Sequence, residues 1–229
     1  MAFRYSPKIV TDGLVLYLDS INTKSYVSGS TSWVDISKTL KTGTLVNNPS
    51  FSNNYITFSS STSQYGTVPS LGDLPLWTVE VFVKFNSSYN NKVSMVVGGQ
   101  YNLSNKLNFS IGTNNSPSNY NISVGFYDGS WHNTTGINYS TNTWFHIVGT
   151  YDGATIKQYT NGNQVDSLNY VGTPSSGGEI RINRRWDDVV LSSNLFDTSI
   201  GLIRIYNRSL NSSEIIQNYN ATKSRYGLT

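Results

Sequence analysis

Apolar and polar residues alternate with a period of two along much of this 229-residue chain, which is the pattern of half-buried β-strands. In residues 77–85 (WTVEVFVKF), one face carries Trp77 and every second residue after it, all of them apolar. Residues 13–19 carry apolar side chains on both faces, which predicts a central strand covered on two sides. Further strands are predicted at 44–46, 55–58, 64–68, 93–97, 106–111, 121–127, 144–150, 154–160, 164–168, 179–183 and 200–206.

Turn residues separate the predicted strands. Asn161-Gly162 stands between two alternating segments and predicts a two-residue hairpin, because a type I′ turn needs a positive φ at both central positions. Asp128-Gly129 and Asp152-Gly153 indicate further turns. Many short strands joined in this way, with no linker between them, predict a single all-β sandwich.

One helix is predicted over residues 211–222. Asn211 is suited to the N-cap, and Glu214 is suited to reach back to the cap amide and complete a capping box. This helix is expected to pack on the edge of the sandwich. Residues 1–12 are expected to form a flexible N-terminal arm, and residues 13–229 form the domain.

Composition excludes several classes of protein. The chain has no cysteine, which excludes disulfide frameworks, cysteine-based zinc sites and thiol nucleophiles. The net charge is only +3, and the basic residues form no stripe interleaved with aromatic residues, so nucleic acid is not an expected partner. No apolar run approaches the roughly 18 residues of a membrane span, and the N-terminal residues show no secretory signal peptide.

Three stretches of the chain are similar, in order and spacing, to those of one known superfamily. They are 13–19 (GLVLYLD) with 33–37 (WVDIS), then 77–85 with 144–153 (WFHIVGTYDG) and 159–162 (YTNG), and finally 200–210 (IGLIRIYNRSL) leading to Glu214. These stretches resemble the concanavalin A-like lectin/glucanase superfamily in its laminin-G-like or pentraxin-like branch. The resemblance implies a two-sheet antiparallel jelly-roll sandwich with one short C-terminal helix.

A narrower resemblance is to single-domain versions of this fold in tailed bacteriophages. It is carried by FRYSPKIVTDGLVLYLD at 3–19, IRINRRWDD at 180–188 and IIQNYNATKSRYG at 215–227. It implies a virion structural protein, made in the host cytoplasm and displayed on the particle as a capsid decoration, head fibre or tail component. Capsid or tail proteins and host-surface glycans would then be its partners. The low charge and the many amide side chains are compatible with a homo-oligomer.

Carboxylates at the spacing of a glycosidase site are not found in the sequence. Retaining glucanases use two carboxylates about 5 to 5.5 Å apart. The glutamates of this chain are Glu80, Glu179 and Glu214, no two of which are neighbours on one strand, and helix capping accounts for Glu214. The sequence therefore predicts a protein that is not an enzyme.

Some members of the superfamily bind calcium through side-chain and backbone oxygens. Candidate ligands here are Asp19, Asp35, Asp152 and Asp197, but the sequence contains no aspartate-rich calcium loop. Structural roles in turns are therefore favoured for all four residues. No cofactor is predicted, and calcium stays an alternative without a specific motif.

The run Trp186-Asp187-Asp188 is the first candidate ligand site. An aromatic ring can stack on the C–H face of a sugar while carboxylates accept hydrogen bonds from its hydroxyls. The favoured alternative is structural: Trp186 covers the sandwich edge, and Arg184 or Arg185 pairs with the aspartates.

The run YDGSWH at 127–132 is the second candidate, through Tyr127, Asp128 and Trp131. Its favoured alternative is a hairpin that turns at Asp128 and packs Trp131 back onto a sheet. Two functions are therefore weighed. The leading one is a non-enzymatic virion structural protein, and the alternative is a carbohydrate-binding lectin domain that acts through surface loops.

Overall fold

Two β-sheets and one short α-helix make up the part of the protein that the structure describes. The computed structural model describes residues 8–86, 93–101, 107–113, 120–175, 178–187 and 195–229. In chain order the strands are β1 (Leu14–Asp19), β2 (Ser32–Trp33), β3 (Gly43–Val46), β4 (Ser50–Ser52), β5 (Tyr55–Phe58), β6 (Tyr65–Val68), β7 (Trp77–Phe85), β8 (Met95–Gly99), β9 (Leu107–Thr113), β10 (Tyr120–Tyr127), β11 (Trp131–Asn133), β12 (Ile137–Tyr139), β13 (Trp144–Tyr151), β14 (Thr155–Thr160), β15 (Asn163–Asn169), β16 (Ile180–Ile182) and β17 (Thr198–Tyr206). Helix α1 (Ser212–Thr222) and a 3-10 turn (Lys223–Tyr226) follow.

The strands form two sheets that pack face to face. The order in the first sheet is β15-β14-β13-β7-β17-β5-β4, with β1 also paired to β17. The order in the second sheet is β11-β10-β9-β8-β16-β6-β3-β2, with β12 also paired to β10. The pairings between these strands are antiparallel. The predicted fold class, an all-β antiparallel jelly-roll sandwich with one C-terminal helix, is confirmed.

The core lies between the two sheets. From the first sheet, the alternating positions of β7 bring in Trp77, Val79, Val81, Val83 and Phe85, all fully buried. The facing strands β9 and β10 of the second sheet contribute Leu107, Phe109, Ile111, Ile122, Val124 and Phe126. Burial of apolar side chains is the main favourable free-energy term of folding. It also defines the strand register, because a slip by one residue would turn these side chains out of the core.

All the predicted strands are present, with ends that differ by at most two residues. The sequence analysis missed β2, β4, β11 and β12, which have only two or three residues each. Segments this short do not display a period.

The prediction for residues 13–19 is wrong in one respect. Among the described strands β1 pairs with β17 alone, so it lies at an edge and is not central. Its second face is nevertheless covered, because Asp19 accepts hydrogen bonds from Arg225, which belongs to the 3-10 turn. The apolar residues on both faces therefore indicate double coverage and not a central place in the sheet.

The described part of the predicted arm packs on the domain. The Val10 amide donates a hydrogen bond to Asn218 Oδ1 at 2.8 Å, and the Val10 carbonyl accepts one from the Tyr206 hydroxyl at 3.1 Å. Val10 is buried in a small apolar cluster with Tyr159, Leu210 and other residues. Val10 is therefore packed on the domain, whereas residues 1–7 lie outside the described residues.

Helix α1 begins as predicted, at a capping box. The Glu214 amide donates to Asn211 Oδ1 at 3.0 Å, and the Asn211 amide donates to Glu214 Oε2 at 2.9 Å. Its predicted place on the edge of the sandwich is wrong, because α1 lies over the outer face of the first sheet. There, Asn218 donates hydrogen bonds at 2.9 Å to Glu80 Oε2 on β7 and to the Tyr206 hydroxyl on β17.

A buried ion pair lies beneath α1. Glu80 Oε1 is 2.8 Å from Arg204 Nη1 and 2.9 Å from His146 Nε2, and all three side chains are inaccessible to solvent. Burial alone would raise the pKa of Glu80, but the charge of Arg204 and the contacts with His146 and Asn218 together outweigh burial and hold that pKa below its ordinary value. Glu80 is therefore an ionised partner that ties the helix to the sheet. In the described part of the chain, no helix is long and apolar enough to cross a membrane.

Candidate functional site

The outer face of the second sheet carries a trough of small residues. On β9 and β10 the core-facing positions are large and apolar, so the positions between them point away from the core. In these outward positions, Ser123 lies opposite Gly112, and Gly125 lies opposite Ser110. Because small residues lie opposite small residues on both strands, the outer surface of the sheet is depressed here and forms the trough.

Glycine is required at position 125 of this trough. A Cβ added there would lie 2.1 Å from both the His132 carbonyl oxygen and Asn133 Oδ1. The close approach of β11 to β10 is therefore possible only without a side chain at this position.

Strand β11 brings two larger side chains to one side of the trough. Asn133 pairs with Gly125, and Trp131 pairs with Tyr127. Because directly opposite residues share a face of the sheet, Trp131 and Asn133 stand on the same outer face as the trough.

Four aromatic rings meet at the mouth of the trough. The ring of Trp186, from the segment after β16, lies edge to face with that of Trp131, with the centroids 4.8 Å apart. The ring of Tyr127 lies 5.4 Å from that of Trp131, and the ring of Tyr101 lies 5.2 Å from that of Tyr127 and 6.0 Å from that of Trp186. We call these four residues the aromatic cluster. All four residues are half-buried.

Residues from the two predicted sites thus meet in one cluster in the structure. Trp186 comes from the first candidate, and Tyr127 and Trp131 come from the second. Tyr101 was missed because it is an isolated tyrosine two residues after the end of β8, with no local motif around it. Burial raises the pKa of Tyr101 to about 12, and the nearby Tyr127 and Asp187 add to the effect, so its phenol is neutral at physiological pH.

A pocket of about 70 Å³ opens beside the aromatic cluster. Trp131 and Trp186 line it on the side of the cluster. The remaining lining residues that the structure describes are Ser94, Met95, Ser110, Gly112, Thr113, Ser123 and Asn133. Side chains in the described part of the lining are all uncharged. The site therefore combines aromatic faces with hydroxyl and amide groups, which is typical of a pocket for a neutral polar ligand.

The segment that carries Trp186 is held by arginines. Arg185 Nε lies 3.0 Å from Asp187 Oδ2, and the Arg185 guanidinium lies over the Trp186 ring at 4.8 Å from its centroid. The buried Arg181 donates hydrogen bonds to the carbonyl groups of Arg185 and Asp187. The pairing of Asp187 with Arg185 is the one expected in the structural alternative. Asp188 lies outside the described residues.

Asp128 has a structural role in the β10–β11 turn. Its Oδ1 is 2.9 Å from His132 Nε2, and its Oδ2 accepts a hydrogen bond from the Thr173 amide at 3.3 Å. Ser130 Oγ lies 3.0 Å from the same His132 nitrogen. In a catalytic triad the hydroxyl and the carboxylate bind opposite nitrogens of the ring. These residues therefore form a turn and not a triad.

The three glutamates are engaged in structural contacts. Glu80 pairs with Arg204 beneath α1, Glu179 Oε1 lies 3.4 Å from Arg181 Nε, and Glu214 caps α1 and pairs with Arg208. None of the three is part of the described lining of the pocket.

The four candidate calcium ligands accept hydrogen bonds from the protein. Asp35 accepts from the Tyr17, Ser37 and Lys41 amides. Asp19 accepts from the Ile21 amide, and Asp197 accepts from the Ser60 amide. Asp152 accepts from the amides of Ala154 and Thr155. Within the described residues, no group of three or more histidine, aspartate or glutamate side chains is arranged to hold a metal ion.

Solved structures show the same fold at low sequence identity. Domain 4 of an extracellular arabinanase of family GH43 from Geobacillus stearothermophilus, solved with arabinotriose, matches with a TM-score of 0.70 and 16% identity, over 92% of this chain and 100% of that domain. The receptor-binding domain of botulinum neurotoxin type G matches with a TM-score of 0.69 and 16% identity, over 91% of this chain and 51% of that one. Trypanosoma rangeli sialidase in complex with sialic acid matches with a TM-score of 0.66 and 14% identity, over 93% of this chain but 33% of the sialidase.

Sequence comparison identifies the family. No curated protein matches the chain. A laminin-G-type family model, described as the concanavalin A-like lectin/glucanases superfamily, matches residues 52–216, which include β5 to β17 and the start of α1. The chain therefore belongs to the concanavalin A-like lectin/glucanase superfamily.

Proposed function

We propose that this protein is a non-catalytic carbohydrate-binding domain whose ligand site is the aromatic cluster with its pocket. One observation carries the proposal: Trp131 and Trp186 stand, partly exposed, beside a pocket whose described lining residues are uncharged and hydrogen-bonding. Aromatic faces take up the apolar C–H surface of a sugar ring, and hydroxyl and amide groups exchange hydrogen bonds with its substituents. The arabinanase domain, which was solved with a bound arabinose trimer, supports a saccharide as the ligand class for this fold.

We propose a non-catalytic domain because the carboxylates that hydrolysis would need are engaged in structural contacts. Glycoside hydrolysis needs one carboxyl that donates a proton and a second one that acts as nucleophile or base. Glu80, Glu179 and Glu214 each have a structural partner, and Asp187 pairs with Arg185. In the described part of the site, Asp187 therefore has no second carboxylate beside it with which to form such a pair.

The experiment is a glycan array followed by titration of the best ligand into two tryptophan variants. Trp186→Ala removes one face of the site. Trp144→Ala is a matched control, because Trp144 is also half-buried but lies on the first sheet, against Tyr55 and Tyr226. We expect saccharide binding to be weakened about tenfold or more in Trp186→Ala and to be unchanged in Trp144→Ala, with both variants folded by circular dichroism. Equal binding by the two variants, or no saccharide bound by the wild-type protein, would contradict the proposal.

A place on the surface of a bacteriophage particle stays a separate prediction. It is supported by the resemblance of residues 3–19, 180–188 and 215–227 to phage proteins and not by the geometry of the site. In that setting the aromatic cluster would attach the particle to host-surface glycans, while capsid or tail proteins and further copies of the chain would be its partners. Immunoelectron microscopy of purified virions tests it, because unlabelled particles would remove the virion role and leave the carbohydrate site unaffected.

A further inference from the structure

The pocket beside Trp131 and Trp186 is too small for a sugar ring. Its volume is about 70 Å³, whereas an engineered cavity that accommodates benzene has about 150 Å³. A sugar ring with its hydroxyl groups is larger than benzene. The ring of a bound saccharide therefore stays at the mouth of the pocket, against the indole rings, and only a substituent of that ring can enter.

The trough is closed at the end where the aromatic cluster stands. Along β10 the outward side chains change from those of Ser123 and Gly125, which are small, to that of Tyr127, which is large. The ring of Tyr127 contacts those of Trp131 and Tyr101, with the centroids 5.4 Å and 5.2 Å apart. An extended chain that followed the trough past Gly125 would therefore collide with these rings.

The rings of the aromatic cluster form no flat surface on which two neighbouring sugar units could stack. The planes of Trp131 and Trp186 are inclined by 65°, and those of Tyr127 and Trp131 by 62°. The ring of Tyr101 is inclined to the other three by 39°, 41° and 45°. The Arg185 guanidinium lies over the Trp186 ring and covers one of its two faces. The cluster therefore offers stacking contacts to one sugar ring at a time.

We infer that the site binds the terminal unit of a saccharide chain and excludes the internal units. This inference rests on the proposed carbohydrate-binding function and specifies which part of a glycan is bound. An internal unit carries a neighbouring sugar on two sides, so it needs a groove that is open at both ends. Here one side of the bound ring meets a pocket that cannot hold a second ring, and the aromatic cluster closes the trough. The remainder of the chain can therefore leave on one side only.

A glycan array gives the first test, because it displays the same sugars at the ends of chains and within them. We expect the bound glycans to share one terminal sugar, which we call the recognised unit. Glycans that carry the recognised unit with a further sugar attached to it, so that it becomes internal, are expected not to bind. The reason is that the added ring would have to enter the pocket or pass through the aromatic cluster.

Calorimetric titration with chains of increasing length gives the second test. The probes are the disaccharide, the trisaccharide and the hexasaccharide of the cello-, malto- and α-1,5-arabino-oligosaccharide series, together with the series that ends in the recognised unit. For each series that binds, we expect the affinity to be constant within about twofold, because every chain has a single end of the recognised kind. A site for internal units would instead gain affinity with length, since longer chains offer more contacts and more binding positions.

Two variants that reduce the volume of the pocket show whether a substituent of the terminal unit enters it. Ser123→Val and Ser110→Thr each add a methyl group to the lining, and each should weaken binding about tenfold or more. Ser110→Thr is the smaller change, since it keeps the hydroxyl. Ser167→Val, at an exposed position of β15, is the matched control, whose affinity should stay at the wild-type value. Circular dichroism verifies that the variants are folded.

The outcomes separate this inference from the proposed function. An affinity that rises steadily with chain length, or binding of glycans in which the recognised unit is internal, would overturn the inference. If Trp186→Ala still weakened that binding, the proposed carbohydrate site would stand. Unchanged binding in Ser123→Val and Ser110→Thr would also overturn the inference, because the pocket would then play no part. Binding that does not depend on Trp186, or no binding of any saccharide, would overturn the inference and the proposed function together.

Discussion

The indole rings of Trp131 and Trp186 meet edge to face, with their centroids 4.8 Å apart and their planes inclined by 65°. Two rings in this arrangement cannot form one flat platform. A sugar ring that stacks on one indole meets the edge or the flank of the other. The two tryptophans therefore define a corner, which favours one sugar unit with a defined orientation over a long chain lying flat.

The corner predicts a non-additive response to mutation. Trp131→Ala and Trp186→Ala should each weaken binding of the best array saccharide by about tenfold or more, as truncation of a central aromatic contact does. The double variant should lose less than the product of the two effects, because the rings contact one another and each positions the other. Calorimetric titration of the four proteins measures the coupling. Strictly additive losses would show that the two rings act independently.

The buried pair of Glu80 and Arg204 should be important for stability. In Glu80→Gln the size of the side chain is retained, but Arg204 is left as a buried charge without its partner, which typically costs about 3–5 kcal/mol. Urea unfolding measures the change in the free energy of unfolding. Lys157→Gln is the control, since Lys157 and Asp152 form an exposed pair 3.7 Å apart whose loss should cost only about 0–1 kcal/mol. Similar small losses in both variants would contradict a structural role for Glu80.

Acid should destabilise the protein through Asp19. Burial by itself raises the pKa of Asp19, but the hydrogen bonds and the charge of Arg225 outweigh burial and hold that pKa below its ordinary value. A carboxyl with a lower pKa in the folded state adds stability that is present above its unfolded pKa of about 4 and is lost as the pH falls through the folded pKa. The free energy of unfolding should therefore fall below about pH 4.

The variant Arg225→Gln tests this assignment. Without the guanidinium, the pKa of Asp19 is no longer held down, so the fall in stability below about pH 4 should become shallower than in the wild-type protein. Urea unfolding at a series of pH values from 2 to 7 gives both curves. An identical pH dependence in the two proteins would mean that other carboxyls cause the acid sensitivity.

The capping box of α1 offers a matched pair of asparagine substitutions. Asn211→Ala removes the cap that accepts from the Glu214 amide and should cost about 1 kcal/mol of stability. Asn220→Ala changes an exposed position inside the same helix, where alanine has the higher helix propensity, so stability should be unchanged or slightly higher. Thermal and urea unfolding distinguish the two. Equal effects of the two variants would indicate that the cap is not a determinant of stability.

The sequence by itself determined the local elements, because their signals lie within a few residues of one another. The alternation in β7 predicts which side chains enter the core, and the spacing of Asn211 and Glu214 predicts the capping box. The hairpin at Asn161-Gly162 has a positive φ at both residues, as its turn type requires. Each of these features depends on local backbone geometry, so each can be read from a short segment.

Only the tertiary structure decided which distant segments meet. Alternation gives a strand its two faces but does not identify its neighbours, so the edge position of β1 and the place of Glu80 beneath α1 could not be read from their own segments. For the same reason Trp131 and Trp186 were two separate candidates in the sequence, and Tyr101 was not one. Their meeting depends on the order of strands in the second sheet and on the Arg181 contacts that hold the segment after β16. These are long-range contacts, and the free energy that selects them comes from burial of the whole core rather than from any local signal.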